Sequence, residues 1–171
     1  MGIAVRRIET LEERDIEGLG ALLADCVEGG ASVSFMLPFD AGQARAYWRG
    51  MADDVARGGR VLLVAEADGD ILGTVHLVLA QPPNQPHRAD LCKMLVLRSA
   101  RKRGIGAALM DAAEQAARGA GKSLLVLDTA SADAERLYER MGWTSVGVIP
   151  GYALLPDGAP CDTRYFYREL K

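Results

Sequence analysis

The sequence predicts a mixed α/β domain, and three features predict it. Two apolar, β-branched runs, 61–67 and 71–80, flank Asp68-Gly69-Asp70, the pattern of a tight β-hairpin. Apolar residues at helical spacing fill the first third of the chain, at Ile16, Leu19, Leu23, Cys26 and Val27 and again at Ala44, Tyr47, Trp48, Met51 and Val55. In the second half, strand-like and helix-like patterns alternate, which implies a right-handed parallel crossover between neighbouring strands. The expected order is β-α-α-β-β-β-α-β-α-β-β, in a single domain spanning 1–171.

Each element has a local reason. Residues 3–8 read as a short strand, and the helix over 11–27 ends at Gly29-Gly30. The loop 31–39 carries Phe35, Met36 and Phe39 among small residues. Asp40 can cap the second helix, which runs to Val55 and stops at Gly58-Gly59. After the hairpin, residues 81–86 hold three prolines and form a loop. A strand over 89–97 leads into a helix marked by Ile105, Leu109, Ala112 and Ala116. Residues 123–128 form a short buried strand. Ser131 can cap a helix with Ala134, Leu137, Tyr138 and Met141 on one face, closed by Gly142. Strands over 143–148 and 164–169 flank a turn-rich segment containing Pro150, Pro156, Asp157-Gly158 and Pro160.

Composition narrows the function. At 171 residues the chain fits one core, with 49% apolar and 25% charged residues. A net charge of −3 argues against a sequence-independent nucleic-acid binder. No apolar stretch approaches a membrane span, and residues 1–9 lack the apolar run of a signal peptide. Cys26, Cys92 and Cys161 form neither a metal-type pair nor a disulfide framework and suit a reducing cytoplasm. His76 and His87 are too isolated to suggest a metal site.

The chemistry concentrates where the strand Met94-Leu95-Val96-Leu97 runs through Arg98-Ser99-Ala100 into Arg101-Lys102-Arg103-Gly104-Ile105-Gly106. A helix start offers unpaired N–H groups and the positive end of a dipole. Glycines there admit a phosphate close to the backbone, and three basic residues add charge. The stretch lacks the Gly-Lys-Ser/Thr ending of a P-loop and the third glycine of a dinucleotide fingerprint. A pyrophosphate cradle and a solvated basic turn both satisfy the spacing.

Residues 101–106 resemble the Gln/Arg-x-x-Gly-x-Gly/Ala signature of the GNAT acetyltransferase superfamily. Ala134-Glu135-Arg136-Leu137-Tyr138-Glu139-Arg140-Met141-Gly142-Trp143 resembles its second hallmark helix. Gly29-Gly30-Ala31-Ser32-Val33-Ser34-Phe35-Met36, Leu127-Asp128-Thr129, Pro150-Gly151-Tyr152 and Pro156-Asp157-Gly158 are similar to the tabtoxin-resistance group within it. The resemblance implies a central mixed sheet with two splayed parallel strands and acetyl-CoA as donor. It also implies transfer of an acetyl group to a small-molecule amine such as an antibiotic, toxin or amino-acid-like compound.

Carried over residue by residue, the resemblance places the pantetheine arm along Leu95, Val96 and Leu97. The Leu95 N–H would polarise the thioester carbonyl. The N–H groups of Lys102, Arg103, Gly104, Ile105, Gly106 and Ala107 would bind the pyrophosphate, and Ser131 would stand near the cofactor. Tyr138 becomes the general acid for the departing thiolate, although spacing alone also fits a packed core tyrosine. Asp90 and Asp128 are the candidate bases or ammonium anchors, with a solvated strand start and a turn cap as their simpler roles. Phe35 and Tyr152 are candidates for the acceptor pocket, whereas Tyr47 and Trp48 fit the helix stripe. No metal is required for an already activated thioester.

Three positions depart from the common pattern. Arg98 replaces a frequent proline, Ser131 replaces an asparagine, and Leu91 stands where the histone-acetylating branch has a glutamate. Protein N-termini or lysines as acceptors, and a non-catalytic acetyl-CoA sensor, remain the alternative functions. The oligomeric state, monomer or homodimer, stays open.

Overall fold

In the computed structural model, which describes residues 2–79 and 81–171, seven strands form one sheet in the order β1-β2-β3-β4-β5-β7-β6. Met1 and Ala80, the expected end of a strand, lie outside the described residues. The strands are β1 (Ala4–Ile8), β2 (Arg60–Ala67), β3 (Asp70–Val78), β4 (Arg88–Val96), β5 (Leu124–Thr129), β6 (Thr144–Leu154) and β7 (Pro160–Glu169). Only the β4–β5 pair is parallel. Five α-helices accompany them: α1 (Glu13–Glu28), α2 (Ala41–Arg49), α3 (Ala52–Ala56), α4 (Ile105–Gly119) and α5 (Ala132–Arg140).

The helices cover both faces of the sheet, and β2 records this in its sequence. Val61, Leu63 and Ala65 enter the core beneath α4 and α5, while Leu62 and Val64 enter the core beneath α1, α2 and α3. A strand buried on both sides reads as a continuous apolar run, as β2 does. The β2–β3 turn places Asp68 at φ 55° and Gly69 at φ 89°, the two positive values that a tight hairpin requires.

Capping follows the sequence closely. Gln43 N–H donates to Asp40 Oδ1 at 2.8 Å and Asp40 N–H donates to Gln43 Oε1 at 3.0 Å, a reciprocal box that starts α2. The Ala134 N–H donates to Ser131 Oγ at 3.3 Å at the start of α5. The buried Trp48 Nε1–H donates to the Leu19 carbonyl at 2.9 Å and locks α2 to α1.

Two expectations needed correction. The helix expected from Asp40 to Val55 breaks at Gly50, where Met51 N–H turns to the Trp48 carbonyl; Trp48, Met51 and Val55 still reach one core. The two last strands are longer than expected, because Pro150 lies within β6. An edge strand tolerates proline, and register shifts at Ser145/Gly147 and Ile149/Ala153 absorb the irregular stretch.

Gly73 of β3 lets α4 settle on the sheet. A Cβ there would sit 2.8 Å from Ile105 Cγ2 and 3.0 Å from both Leu109 Cδ1 and the Leu95 carbonyl oxygen. Gly73→Val is expected to lower unfolding stability by about 1–3 kcal/mol. Because Ile105 is the first residue of α4, the same change is expected to weaken acetyl-CoA binding; denaturant melts and a CoA titration read the two effects.

His76 of β3 is buried beside Arg60, whose Nη1 lies 3.3 Å from Nε2, while Nδ1 meets no partner among the described residues. Burial first, then Arg60 and Lys93, push its pKa from 6.5 down to about 3. The unfolded chain therefore binds a proton that the folded chain refuses. Stability from this group is full above pH 6.5 and declines as the pH falls towards about 3. As the pH falls from 6.5, His76→Phe is expected to remove a slope that rises to about 1.4 kcal/mol per pH unit by about pH 5, measured by urea unfolding.

Candidate active site

The sheet opens at one place. β4 and β5 pair only through Arg88↔Leu124, Ala89↔Leu125 and Asp90↔Val126, so residues 91–96 have no strand partner on that side. The orientation of this free edge follows from the other side. Thr74 opposes Leu95, the Leu97 N–H donates to the Leu72 carbonyl at 2.9 Å, and the Leu95 carbonyl faces Gly73. Polar groups alternate along a strand, so Leu95 and Leu97 turn theirs towards β3, and Met94 and Val96 turn theirs into the gap. The expectation that Leu95 and Leu97 supply the free backbone groups is thereby corrected. Val96 is the expected residue that does face the opening. Among the described residues its carbonyl meets only Arg101 Nε at 3.4 Å and Cys26 Sγ at 3.7 Å.

The change of face originates in a bulge. The β3–β4 register slips between Thr74 and His76, and Lys93 takes φ 51°. Leu91 points into the α4 side, Lys93 joins the aromatic rings on the α2 side, and Met94 returns to the α4 side. One extra residue therefore re-aims every group that follows.

Past β4 the chain makes a short 3₁₀ turn (Arg98–Ala100) and enters α4. Asp25 of α1 accepts from the Arg98 N–H and from Arg98 Nε, each at 2.9 Å, which anchors this turn. Lys102 at φ 63° and Gly104 at φ 80° coil the loop. The first ladder bond of α4 runs from Ala108 N–H to the Gly104 carbonyl, which leaves the N–H groups of Ile105, Gly106 and Ala107 without helical partners. No side chain caps them, and no acidic residue lies in the first turn. Lys102 and Arg103 are exposed beside this end. The two glycines have different reasons. Open space lies over Gly104, whereas a Cβ on Gly106 would sit 2.9 Å from Leu137 Cδ2 of α5. The second glycine thus also serves helix packing.

Tyr138 is only 3% exposed and packs edge-on to Phe166 with ring centroids 5.7 Å apart. Its hydroxyl meets no hydrogen-bond partner among the described residues. Burial first, and then the Asp128 carboxylate, push its pKa upwards, so the phenol stays protonated and able to donate. Asp128, exposed near the end of β5, accepts from Thr163 Oγ1 at 2.8 Å and pairs across the ladder with Tyr165. Asp90 sits where β4 and β5 still pair, and there Arg88 and Gln81 hold its carboxylate. Ser131, which caps α5, lies just beyond β5.

The loop 31–39 closes the other flank. Leu37 N–H donates to the Pro156 carbonyl at 2.9 Å, and Ser32 Oγ–H donates to the Leu154 carbonyl at 3.1 Å. These bonds join the Phe35 loop to the β6–β7 hairpin that carries Tyr152. Tyr152 is half exposed, with its hydroxyl 3.0 Å from that of Tyr165. That bond, with burial and Asp128 behind it, raises Tyr165 to about 12. Sequence reasoning missed Lys93, Thr163 and Tyr165, and placed Ser34 at the acceptor side only as the start of the aromatic loop 34–39. Lys93 had a visible signal, a lone charge inside the apolar run Leu91-Cys92-Lys93-Met94-Leu95. Trp48 proves to be a core residue, fully buried.

Similarity to known proteins agrees with this geometry. The Acetyltransferase (GNAT) family matches residues 31–143. An uncharacterized N-acetyltransferase from the hisH-hisA intergenic region of Azospirillum brasilense is 32% identical over 128 residues, covering 74% of each chain. In fold, an N-acetyltransferase from Staphylococcus aureus Mu50 superimposes with a TM-score of 0.82 at 18% identity, covering 100% of both chains. The Salmonella typhimurium protein yncA, solved with its cofactor acetyl-CoA, superimposes with a TM-score of 0.80 at 17% identity over 100% of this chain and 95% of its own. A parallel pair that splays, a free strand edge and an uncapped basic helix start together suit acetyl-CoA, and the chain belongs to the GNAT family of acetyl-CoA-dependent N-acetyltransferases.

Proposed function

We propose that the protein transfers the acetyl group of acetyl-CoA to the amine of a small molecule, by direct attack within a ternary complex. The observation that carries this reading is the roof over the acceptor side. The 31–39 loop is bonded to the β6–β7 hairpin at Leu37–Pro156 and at Ser32–Leu154, and a loop tied across in this way favours a small acceptor over an extended peptide. The acceptor class follows the resemblance to the tabtoxin-resistance group, an antibiotic, toxin or amino-acid-like amine. A cytoplasmic setting belongs to the same reading and suits the three free cysteines. No helix among the described residues is long and apolar enough to cross a membrane.

In this mechanism the pantetheine arm adds to the free edge of β4, exchanging hydrogen bonds with Val96. The pyrophosphate takes the N–H groups of Ile105, Gly106 and Ala107, with Lys102 and Arg103 adding charge. The Met94 N–H, the other group turned into the gap, polarises the thioester carbonyl and holds the developing oxyanion. Asp128 receives the proton of the attacking ammonium, directly or through water, because it stands at the open mouth. Asp90 serves as an electrostatic anchor held by Arg88. Tyr138, kept neutral by burial, gives its proton to the departing CoA thiolate.

Thiol release from acetyl-CoA, measured with amino acids, polyamines, aminoglycosides and peptides, tests the class. Turnover with small amines is expected, and turnover confined to peptides or proteins would overturn it. Tyr138→Phe is expected to lower kcat by about 10²-fold or more. Asp128→Asn is expected to cost at least about 10-fold more in kcat/KM than Asp90→Asn, and the reverse order would exchange their roles.

A further inference from the structure

Lys93 is a charged residue of the cleft that neither donor binding nor acid–base chemistry uses. Its ammonium lies 6.0 Å from the Phe35 ring centroid and 5.9 Å from that of Tyr47, and donates to Ser34 Oγ at 2.9 Å. No carboxylate lies within ion-pairing distance of it among the described residues. A cation drawn partly out of water, with ring faces on one side and only one of three donors engaged, is short of an anion. Burial draws its pKa down, and the negative charge that Cys92 and Asp128 can carry opposes that shift.

The backbone has been distorted to bring this about. Lys93 stands at the bulge of β4 with φ 51°, and Ser34, its hydrogen-bond partner, has φ 83°. Neither residue is a glycine, so both hold a conformation that L-residues resist. Without the bulge, alternation would send residue 93 to the α4 side of the sheet instead of towards Phe35. Ser34, having accepted from Lys93, keeps its own O–H free to donate. The pair therefore presents an ammonium and a hydroxyl to the same space, a donor set suited to a carboxylate.

We infer that Lys93 and Ser34 form an anion subsite that binds a carboxylate of the acceptor, so that the preferred substrates carry an amine and a carboxylate together. The amine lies towards Asp128 and the carboxylate towards Lys93, an orientation in which each substrate charge meets its opposite. Like charge at Lys93 also keeps the ammonium end from binding the wrong way round. The assignment rests on the small-amine reading above and specifies the acceptor within it.

The test compares L-amino acids, each paired with its own carboxamide, in wild type, Lys93→Met and Lys93→Arg, by thiol release from acetyl-CoA. The carboxylate-to-carboxamide ratio of kcat/KM is expected to fall about 10-fold or more in Lys93→Met, through acceptor KM rather than kcat. Lys93→Arg is expected to restore most of the ratio. The ratio is taken within each variant, so a general loss of folded enzyme cancels. A ratio unmoved by Lys93→Met would overturn the subsite while leaving the small-amine reading in place. Turnover with no small amine at all would remove both. Where Lys93→Met does not fold, wild type decides alone: N-acetyl amino acids are expected to compete with the acceptor about 10-fold more tightly than N-acetyl amino acid amides. Equal inhibition would overturn the assignment.

Discussion

A sheet normally satisfies its own backbone, and this one declines to do so in its middle. β4 and β5 run side by side for three residue pairs and then part, although both continue towards the same end. The separation leaves N–H and C=O groups on an interior strand, where each unmet group carries a free-energy cost. The arrangement is stable because the rest of the sheet is covered by helices on both faces and because the gap is open to solvent until a ligand adds itself as a strand. Donor binding, oxyanion stabilisation and the acceptor cleft, as proposed above, all depend on that opening.

The strain in the backbone gathers around the same opening. Of the non-glycine residues with positive φ, Asp68 belongs to a hairpin turn, while Ser34, Lys93 and Lys102 border the site. Each costs on the order of 1–3 kcal/mol, which neighbouring packing must offset. Ser34 and Lys93 hold one another by a hydrogen bond, and Lys102 lies between the Arg98–Asp25 anchor and the first turn of α4. Packing supplies the rigidity. Gly73 admits α4 to the sheet and Gly106 admits α5 to α4, so the uncapped start of α4 is positioned by two missing Cβ atoms.

Much of the fold was legible because its signals are local. The Asp68-Gly69 turn, the Asp40 cap and the Ser131 cap depend on residues a few positions apart, and all three form as expected; Gln43 adds the reciprocal bond to Asp40. The edge position of β6 is a property of the sheet and not of the segment, so Pro150 looked like a strand breaker. Gly50 similarly divides α2 from α3 while leaving their apolar stripe intact. At the site, the uncapped, basic helix start within the expected cradle 102–107 was legible because helix-end chemistry is also local.

The sequence by itself determined the order of strands and helices apart from the α2–α3 break, the basic helix start and the family to which the two motifs point, since each is written in short-range spacing. Only the tertiary structure decided which way the backbone of β4 faces. A single bulged residue reverses the alternation after Lys93, so Met94 and Val96, not Leu95 and Leu97, look into the gap. Only the assembled sheet separates Asp90, held by Arg88 where the strands pair, from Asp128 at the open mouth. The meeting of Lys93 with Ser34 and Phe35 joins residues far apart in the chain. No spacing rule reaches that far, because such contacts are set by how helices and strands pack and not by the periodicity of any one of them.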